Sequence, residues 1–173
     1  QFPWAVFNIG ELKGIPSVID QVRLVDLNAD GKLDCFVSAY DSANAVGTAV
    51  GFQSQTDIQD TWEMFQIDSN GAQFGRVGFA DFDGNGRVDF LAPLNFPGLT
   101  NDRIAFYTAV VDGRWLRKVV GQQDNGANFM AVGDIDKDGN PDVAVSSTTQ
   151  GLTQWFRNPG PAVLASDGGQ VPW

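Results

Sequence analysis

The sequence has no histidine and a single cysteine, Cys35. Without histidine, the chain lacks the commonest general base at neutral pH and the commonest zinc or copper ligand. A Ser-His-Asp or Cys-His catalytic set cannot be assembled from this chain alone. One cysteine excludes an intrachain disulfide and leaves the redox compartment open. Set in the apolar run DCFVSAY, Cys35 reads as a small buried thiol. Positive charge is scarce: 11 Lys and Arg stand against 21 Asp and Glu, a formal charge of −10. That balance argues against nucleic acid or an anionic membrane as a partner. No apolar run approaches the roughly 18 residues of a membrane-spanning helix, and no signal peptide is evident. The chain begins at Gln1 rather than Met, which reads as a processed form or a piece of a longer chain.

What is present is a threefold repeat. VRLVDLNADGKLDCFVSAY, VGFADFDGNGRVDFLAPLN and MAVGDIDKDGNPDVAVSST align without gaps, and their first loop aspartates are spaced by 55 and 53 residues. A second landmark keeps the same phase: WAVFNIG starts at Trp4, WEMFQID at Trp62 and WLRKVVG at Trp115, with a bare Trp173 closing the chain. Within each unit, short runs rich in Val, Phe, Ile and Tyr alternate with Gly, Asp, Asn and Pro clusters. No segment carries a convincing 3.6-residue apolar stripe. The expected fold is therefore all-β, with four antiparallel strands per unit. Sheets with two apolar faces cannot bury both alone, and units of this period stack as propeller blades. The expected boundaries are 1–17 for the last strand of a preceding blade, 18–70 and 71–122 for two blades, and 123–173 for a third lacking its last strand.

Each unit carries one acidic loop with oxygen-bearing side chains at alternate positions. The first holds Asp26, Asn28, Asp30, Gly31 and Asp34; the second Asp81, Asp83, Asn85, Gly86 and Asp89; the third Asp134, Asp136, Asp138, Gly139 and Asp142. Positions 1, 3 and 5 of a curling loop can aim oxygens at one centre, and the glycine at position 6 permits the sharp turn. Position 7 is expected to add a backbone carbonyl, from Lys32, Arg87 or Asn140, and the aspartate at position 9 closes the sphere. This is the donor set of a hard cation. Many protein oxygens favour calcium over magnesium, and the lack of N or S ligands disfavours zinc and copper. Three such ions would take the charge from −10 to −4. These loops are not EF-hands, because position 12 is Val37, Ala92 or Val145 rather than Glu, and the flanks look extended. Asp-Gly and Asn-Gly also build ordinary hairpin turns, but a simple turn does not need four oxygen-bearing side chains in three copies.

The segments VDLNADGKLDCFVS, ADFDGNGRVDFLAP and GDIDKDGNPDVAVS resemble the VCBS/FG-GAP repeat family, with the loop between the first two strands of a blade. QWFRNPG, at 154–160, resembles the third-strand ending of such blades. Asn28 and Asn85 depart from the all-Asp pattern and drop a charge each. The resemblance implies a calcium-stabilised, secreted β-propeller module for adhesion or for binding a glycan or a protein, with contacts from the connections 41–48, 96–102 and 147–153. Three units are too few to close a propeller, so the remainder of a longer chain or a second copy is expected as partner. Two other readings stay open. One is the propeller part of a carbohydrate-active lyase or dehydratase, with Tyr40, Tyr107, Arg103 and Lys118 as available acid and base groups. The other is a filament or matrix subunit built by blade completion. Trp4, Trp62 and Trp115, at one repeated position, read as packing between blades, and Trp155 as a strand residue that can also be core.

Overall fold

The computed structural model describes residues 5–13, 18–70, 72–95, 101–110, 113–124, 127–149 and 151–164. The described chain is all-β and antiparallel, apart from one helical turn, α1 (Pro161–Leu164). The first sheet runs β1 (Val18–Val25), β2 (Asp34–Asp41), β3 (Val46–Gln53), β4 (Glu63–Asn70) in sequential order. In the second, β5 (Gln73–Phe74) and β6 (Gly78–Ala80) both pair with β7 (Asp89–Asn95), followed by β8 (Asn101–Ala109) and β9 (Trp115–Asp124). The third holds β10 (Ala127–Gly133), β11 (Asp142–Ser147) and β12 (Thr153–Phe156). Each acidic loop joins the first strand of its sheet to the next strand.

Strand alternation decides how the sheets stack. Directly opposed residues share a face, so Cys35 and Phe52 lie on one side of the first sheet and Phe36 on the other. Phe36 belongs to an apolar cluster with Phe74, Phe90, Leu94 and Tyr107, which fills the space between the first and second sheets. Its ring meets Phe79 and Phe90 edge-on at 5.2 Å each. Leu91, on the other face of the second sheet, joins Ile104, Phe106, Val143, Val145 and Phe156 between the second and third sheets. The residue after each ninth-position aspartate thus faces backward along the stack and the next one forward. The back face of the first sheet carries Cys35, Val37, Val50 and Phe52, covered in part by Ile9, Leu12 and Trp62. Cys35 is buried, as expected, and desolvation pushes its thiol above the ordinary range.

The second residue of each loop locks one sheet to the next. Leu27 is 3% exposed within the first inter-sheet cluster and Phe82 is 1% exposed within the second. Ile135, at the same position in the third loop, has no following sheet among the described residues and is 47% exposed. Trp155 lies with it on the forward face and is 48% exposed, which corrects its reading as a core residue. Trp115 packs between the first and second sheets. Trp62 packs on the back face of the first sheet beside Ile9 and Leu12, with no further sheet behind it among the described residues, and Trp4 and Trp173 fall outside them.

The first strands share a distortion that sequence pattern did not reveal. Asp20 is an extra residue in β1 and Asn128 one in β10. In the second sheet, the four steps from Phe74 to Gly78 span only three on β7, so the extra residue falls in the gap that splits β5 from β6. The bulge lies six residues ahead of the loop in all three units. No closed ring of sheets is present among the described residues, and segment 5–12 forms no regular strand.

Candidate metal centre

The three loops fold alike because backbone amides converge on their aspartates. The position-1 carboxylate accepts the N–H of residues 5 and 6: Asp30 and Gly31 on Asp26 at 3.1 and 2.9 Å, Asn85 and Gly86 on Asp81 at 3.0 and 2.8 Å, Asp138 and Gly139 on Asp134 at 3.1 and 3.1 Å. The position-3 oxygen of Asn28, Asp83 or Asp136 accepts the same residue-5 amide at 3.0–3.2 Å. The position-7 residues Lys32, Arg87 and Asn140 donate their N–H groups to the position-5 side chain at 2.9, 2.8 and 2.9 Å. Such a curl needs left-handed backbone. Gly31, Gly86 and Gly139 supply it with φ of 83°, 82° and 92°. Position 4 is also left-handed, at Ala29, Gly84 and Lys137, a feature without a uniform residue signature.

The ninth-position aspartates are fully buried. Oδ2 of Asp34, Asp89 and Asp142 accepts the N–H of Leu27, Phe82 and Ile135 at 3.0 Å in every copy. Oδ1 differs. Asp34 Oδ1 takes the N–H of Ser54 at 2.9 Å and Asp142 Oδ1 that of Asn158 at 2.8 Å, each just past the third strand. In the second sheet β8 runs on through Ala109, which pairs with Trp115, and Asp89 Oδ1 is left buried without a partner. Burial first, and then the charge of Asp83, push the Asp89 carboxyl up to about 7. A buried carboxylate oxygen with no donor is costly unless a proton or a cation meets it.

Two acidic triads are within reach of one ion. Oxygens of Asp81, Asp83 and Asp89 lie within 4.8 Å of one another, as do those of Asp134, Asp136 and Asp138. Two oxygens on one calcium ion at ~2.4 Å can be no more than about 4.8 Å apart, so both triads fit. In the first loop Asn28 replaces an acid, and Asp26, Asp30 and Asp34 form no such triad. Of the fifteen predicted residues, the triads gather six, Asp81, Asp83 and Asp89 in the second loop and Asp134, Asp136 and Asp138 in the third, while Asp142 stands outside them.

Third-strand residues set the loops apart. Gln53, Thr108 and Arg157 each follow a strand partner of the residue after the ninth aspartate. Thr108 Oγ1 donates to Asp83 Oδ2 at 3.0 Å. Arg157 Nε and Nη2 donate to Asp136 and Asp138 at 2.5 and 2.8 Å, giving the third loop a cation of its own. Asn158 is fully buried and donates Nδ2 to the carbonyls of Phe82 and Pro141 at 3.0 and 3.1 Å, tying the third loop to the second. Its place in QWFRNPG was visible in sequence, but its role was not. The register of the third strand would have been needed to find it.

Of the residues considered for acid and base work, Tyr107 is buried and hydrogen-bonded to Asp68, and Lys118 donates to the Leu164 carbonyl at 2.8 Å. Tyr40, Arg103, Tyr107 and Lys118 line neither the back-face cavity beside Phe52 nor the cleft beside Gln21. Of the expected contact connections, 41–48 is a tight turn capped by Asp41, 96–100 lies outside the described residues, and 147–153 is described except at 150. No family model, no curated protein and no solved structure matches this chain.

Proposed function

We propose that the three loops bind calcium and stiffen blade-like units of a secreted β-propeller module that holds a glycan or a protein in adhesion or recognition. The observation that carries the metal reading is Asp89. One carboxylate oxygen of Asp89 lies in the same triad as Asp81 and Asp83, and its Oδ1 is buried without a partner, so an ion there would offset a buried charge that the protein leaves under-satisfied. Asp81, Asp83, Asn85 and Asp89 would hold that ion, and their equivalents would hold the other two. Calcium would neutralise clustered carboxylates and fix the loops that plug one sheet against the next.

The propeller reading draws support from the bulges. Gln21 Nε2 donates to Gly75 O at 2.9 Å, and Arg76 N donates to Asn128 O at 2.7 Å, so the first strands of all three sheets are bonded in a row. Sheets that converge at their first strands are what a central axis requires. Both ends of the stack keep apolar side chains exposed: Val22 and Leu24 behind, Ile135 and Trp155 ahead. A cavity of about 500 Å³ opens on the back face between Ile9, Leu12, Val22 and Phe52. Further units, from a longer chain or a second copy, would cover these faces. That same need favours a blade-completed assembly as the second reading.

The test is calorimetric titration of chelator-treated protein with calcium, with melting temperature as a second readout. The reading expects up to three ions and a rise in melting temperature. Unchanged melting on chelation together with no binding heat would sink it.

A further inference from the structure

The row of bulges encloses a polar cleft at the end of the first strands remote from the loops. We propose that this cleft binds a small zwitterion, presenting an ammonium group to Asp20 and a carboxylate to Arg76. The cleft has a volume of about 200 Å³ and is lined chiefly by Asp20, Gln21, Gln73, Arg76, Asn128 and Phe129. This is room for an α-amino acid with a modest side chain.

Its floor is rigid. Gln21 is buried and bonded at both ends, donating to Ser38 Oγ and Gly75 O and accepting the N–H of Val77 at 3.3 Å. Gly75 cannot be replaced without a shift, since a Cβ would lie 3.0 Å from both Asn128 O and Pro93 Cβ. The three units have diverged at this level. The bulge residue and its successor are Asp20 and Gln21, Gly75 and Arg76, Asn128 and Phe129. A purely structural bulge would not need an acid on one unit and a guanidinium on the next.

The two charges are prepared for a ligand. Asp20 Oδ1 accepts Gln73 Nε2 at 3.1 Å, while Oδ2 is buried without a donor. Desolvation raises this carboxyl above its ordinary range, the mark of a charge that lacks sufficient partners. Arg76 lies exposed over the Phe129 ring, 5.4 Å from its centroid, which positions the guanidinium at the rim. An ammonium on Asp20 satisfies the bare oxygen, and a carboxylate is the group an arginine fork binds best. This inference does not depend on the metal loops.

The test uses the full chain at fixed calcium. Glycine, L-alanine, L-serine and L-glutamate are titrated by calorimetry, with ethanolamine and L-lactate as half-ligands lacking the carboxylate or the ammonium. At least one amino acid is expected to bind saturably below about ten millimolar. Both half-ligands are expected to bind at least about tenfold more weakly, as are Asp20→Asn and Arg76→Gln with the best amino acid, since a charged hydrogen bond is lost in each case. Far-ultraviolet circular dichroism and cooperative thermal unfolding should be retained in both variants, which shows that they fold. Absence of binding by all four amino acids overturns the proposal. Equal binding by a half-ligand, or by either variant, overturns it too.

Discussion

The hydroxyl of Tyr107 donates a 2.7 Å hydrogen bond to Oδ2 of Asp68, joining the third strand of the second sheet to the fourth strand of the first. Asp68 also receives Arg117 Nη1 at 2.8 Å. Desolvation, and then the charge of Asp68, hold the Tyr107 hydroxyl far above its ordinary range, so it stays a donor at any physiological pH. The same junction recurs with different chemistry. Phe52 and Phe156 stand where Tyr107 stands, and Gly10 and Gly121, six residues after Trp4 and Trp115, stand where Asp68 follows Trp62. A Cβ at Gly10 would lie 2.3 Å from Phe52, and one at Gly121 would lie 2.7 Å from Phe156. Where the aromatic residue has no hydroxyl, glycine lets its ring lie on the backbone. Ile9 and Gly10 therefore lie against the first sheet without forming a strand.

This junction predicts three outcomes in urea or thermal unfolding. Tyr107→Phe should cost about 1 kcal/mol, the net worth of one hydrogen bond. Gly121→Val should cost about 1–3 kcal/mol through overpacking against Phe156. The double variant Asp68→Gly with Tyr107→Phe recreates the Gly and Phe pairing of the other junctions. It should lose less than the sum of its single variants, a coupling that a double-mutant cycle reads directly. Strict additivity would show that the two side chains do not act as a pair.

The ninth-position aspartates should differ in the absence of any cation. Asp34 and Asp142 each accept two backbone amides, one of them from beyond the third strand. Replacing either by Ala should cost on the order of 3 kcal/mol, since two buried donors lose their acceptor. Asp89→Ala removes an unpartnered buried oxygen as well as two bonds and should cost clearly less in chelator-treated protein. With calcium present, each replacement also loses a ligand to an ion, so all three should cost more than in chelator-treated protein. Chemical denaturation with and without chelator measures both.

Much of this was legible in the sequence, for physical reasons. A φ near +80° selects glycine strongly, so position 6 could be assigned to a sharp turn. Oxygen side chains at alternate positions announced converging carboxylates, and apolar runs between turn clusters announced antiparallel strands. The bulges left no signature, because Asp20, Gly75 and Asn128 share no residue type and need none. Position 4 was equally silent, since Ala29 and Lys137 are held left-handed by the amides around them. Asp89 was indistinguishable from Asp34 and Asp142. What sets it apart is the extra length of β8, a matter of register rather than composition.

Stability of the cation-free protein should fall as pH rises from about 4 to about 7. Asp89 titrates at about 7 in the folded state, against roughly 4 in an unfolded chain. Within that window the folded protein keeps a proton that the unfolded chain has lost, so deprotonation favours unfolding. Melting temperature should drop on the order of 5 °C from pH 5 to pH 8. Asp89→Asn should remove that drop, and saturating calcium should suppress it by replacing the proton with an ion. Asp138 acts in another window. The Asn140 N–H is the main influence holding its carboxyl below the ordinary range, so its contribution is lost only as the solution becomes more acidic than about pH 4. A flat profile for chelated wild type between pH 5 and 8 would count against a desolvated Asp89.

The three loops should also differ in affinity, and Arg157 is the reason. Its guanidinium bridges Asp136 and Asp138, so a divalent ion entering the third loop must displace it or bind beside a positive charge. Repulsion between +1 and +2 at about 5 Å in a watery site lowers affinity roughly tenfold. The arginine side chain is 58% exposed, so it can swing away without a packing penalty. Thr108, its counterpart in the second loop, is neutral and donates to Asp83, and Gln53 in the first is neutral as well. Third-loop affinity can be isolated in a background where Asp26→Asn and Asp81→Asn weaken the other two sites. There, Arg157→Gln should tighten calcium binding about tenfold, while in chelator-treated protein the same change should lower melting temperature, because Asp136 and Asp138 lose their only counter-ion among the described residues. Unchanged third-loop affinity would mean that the guanidinium leaves the carboxylates at no cost, and that the site is set by its oxygens alone.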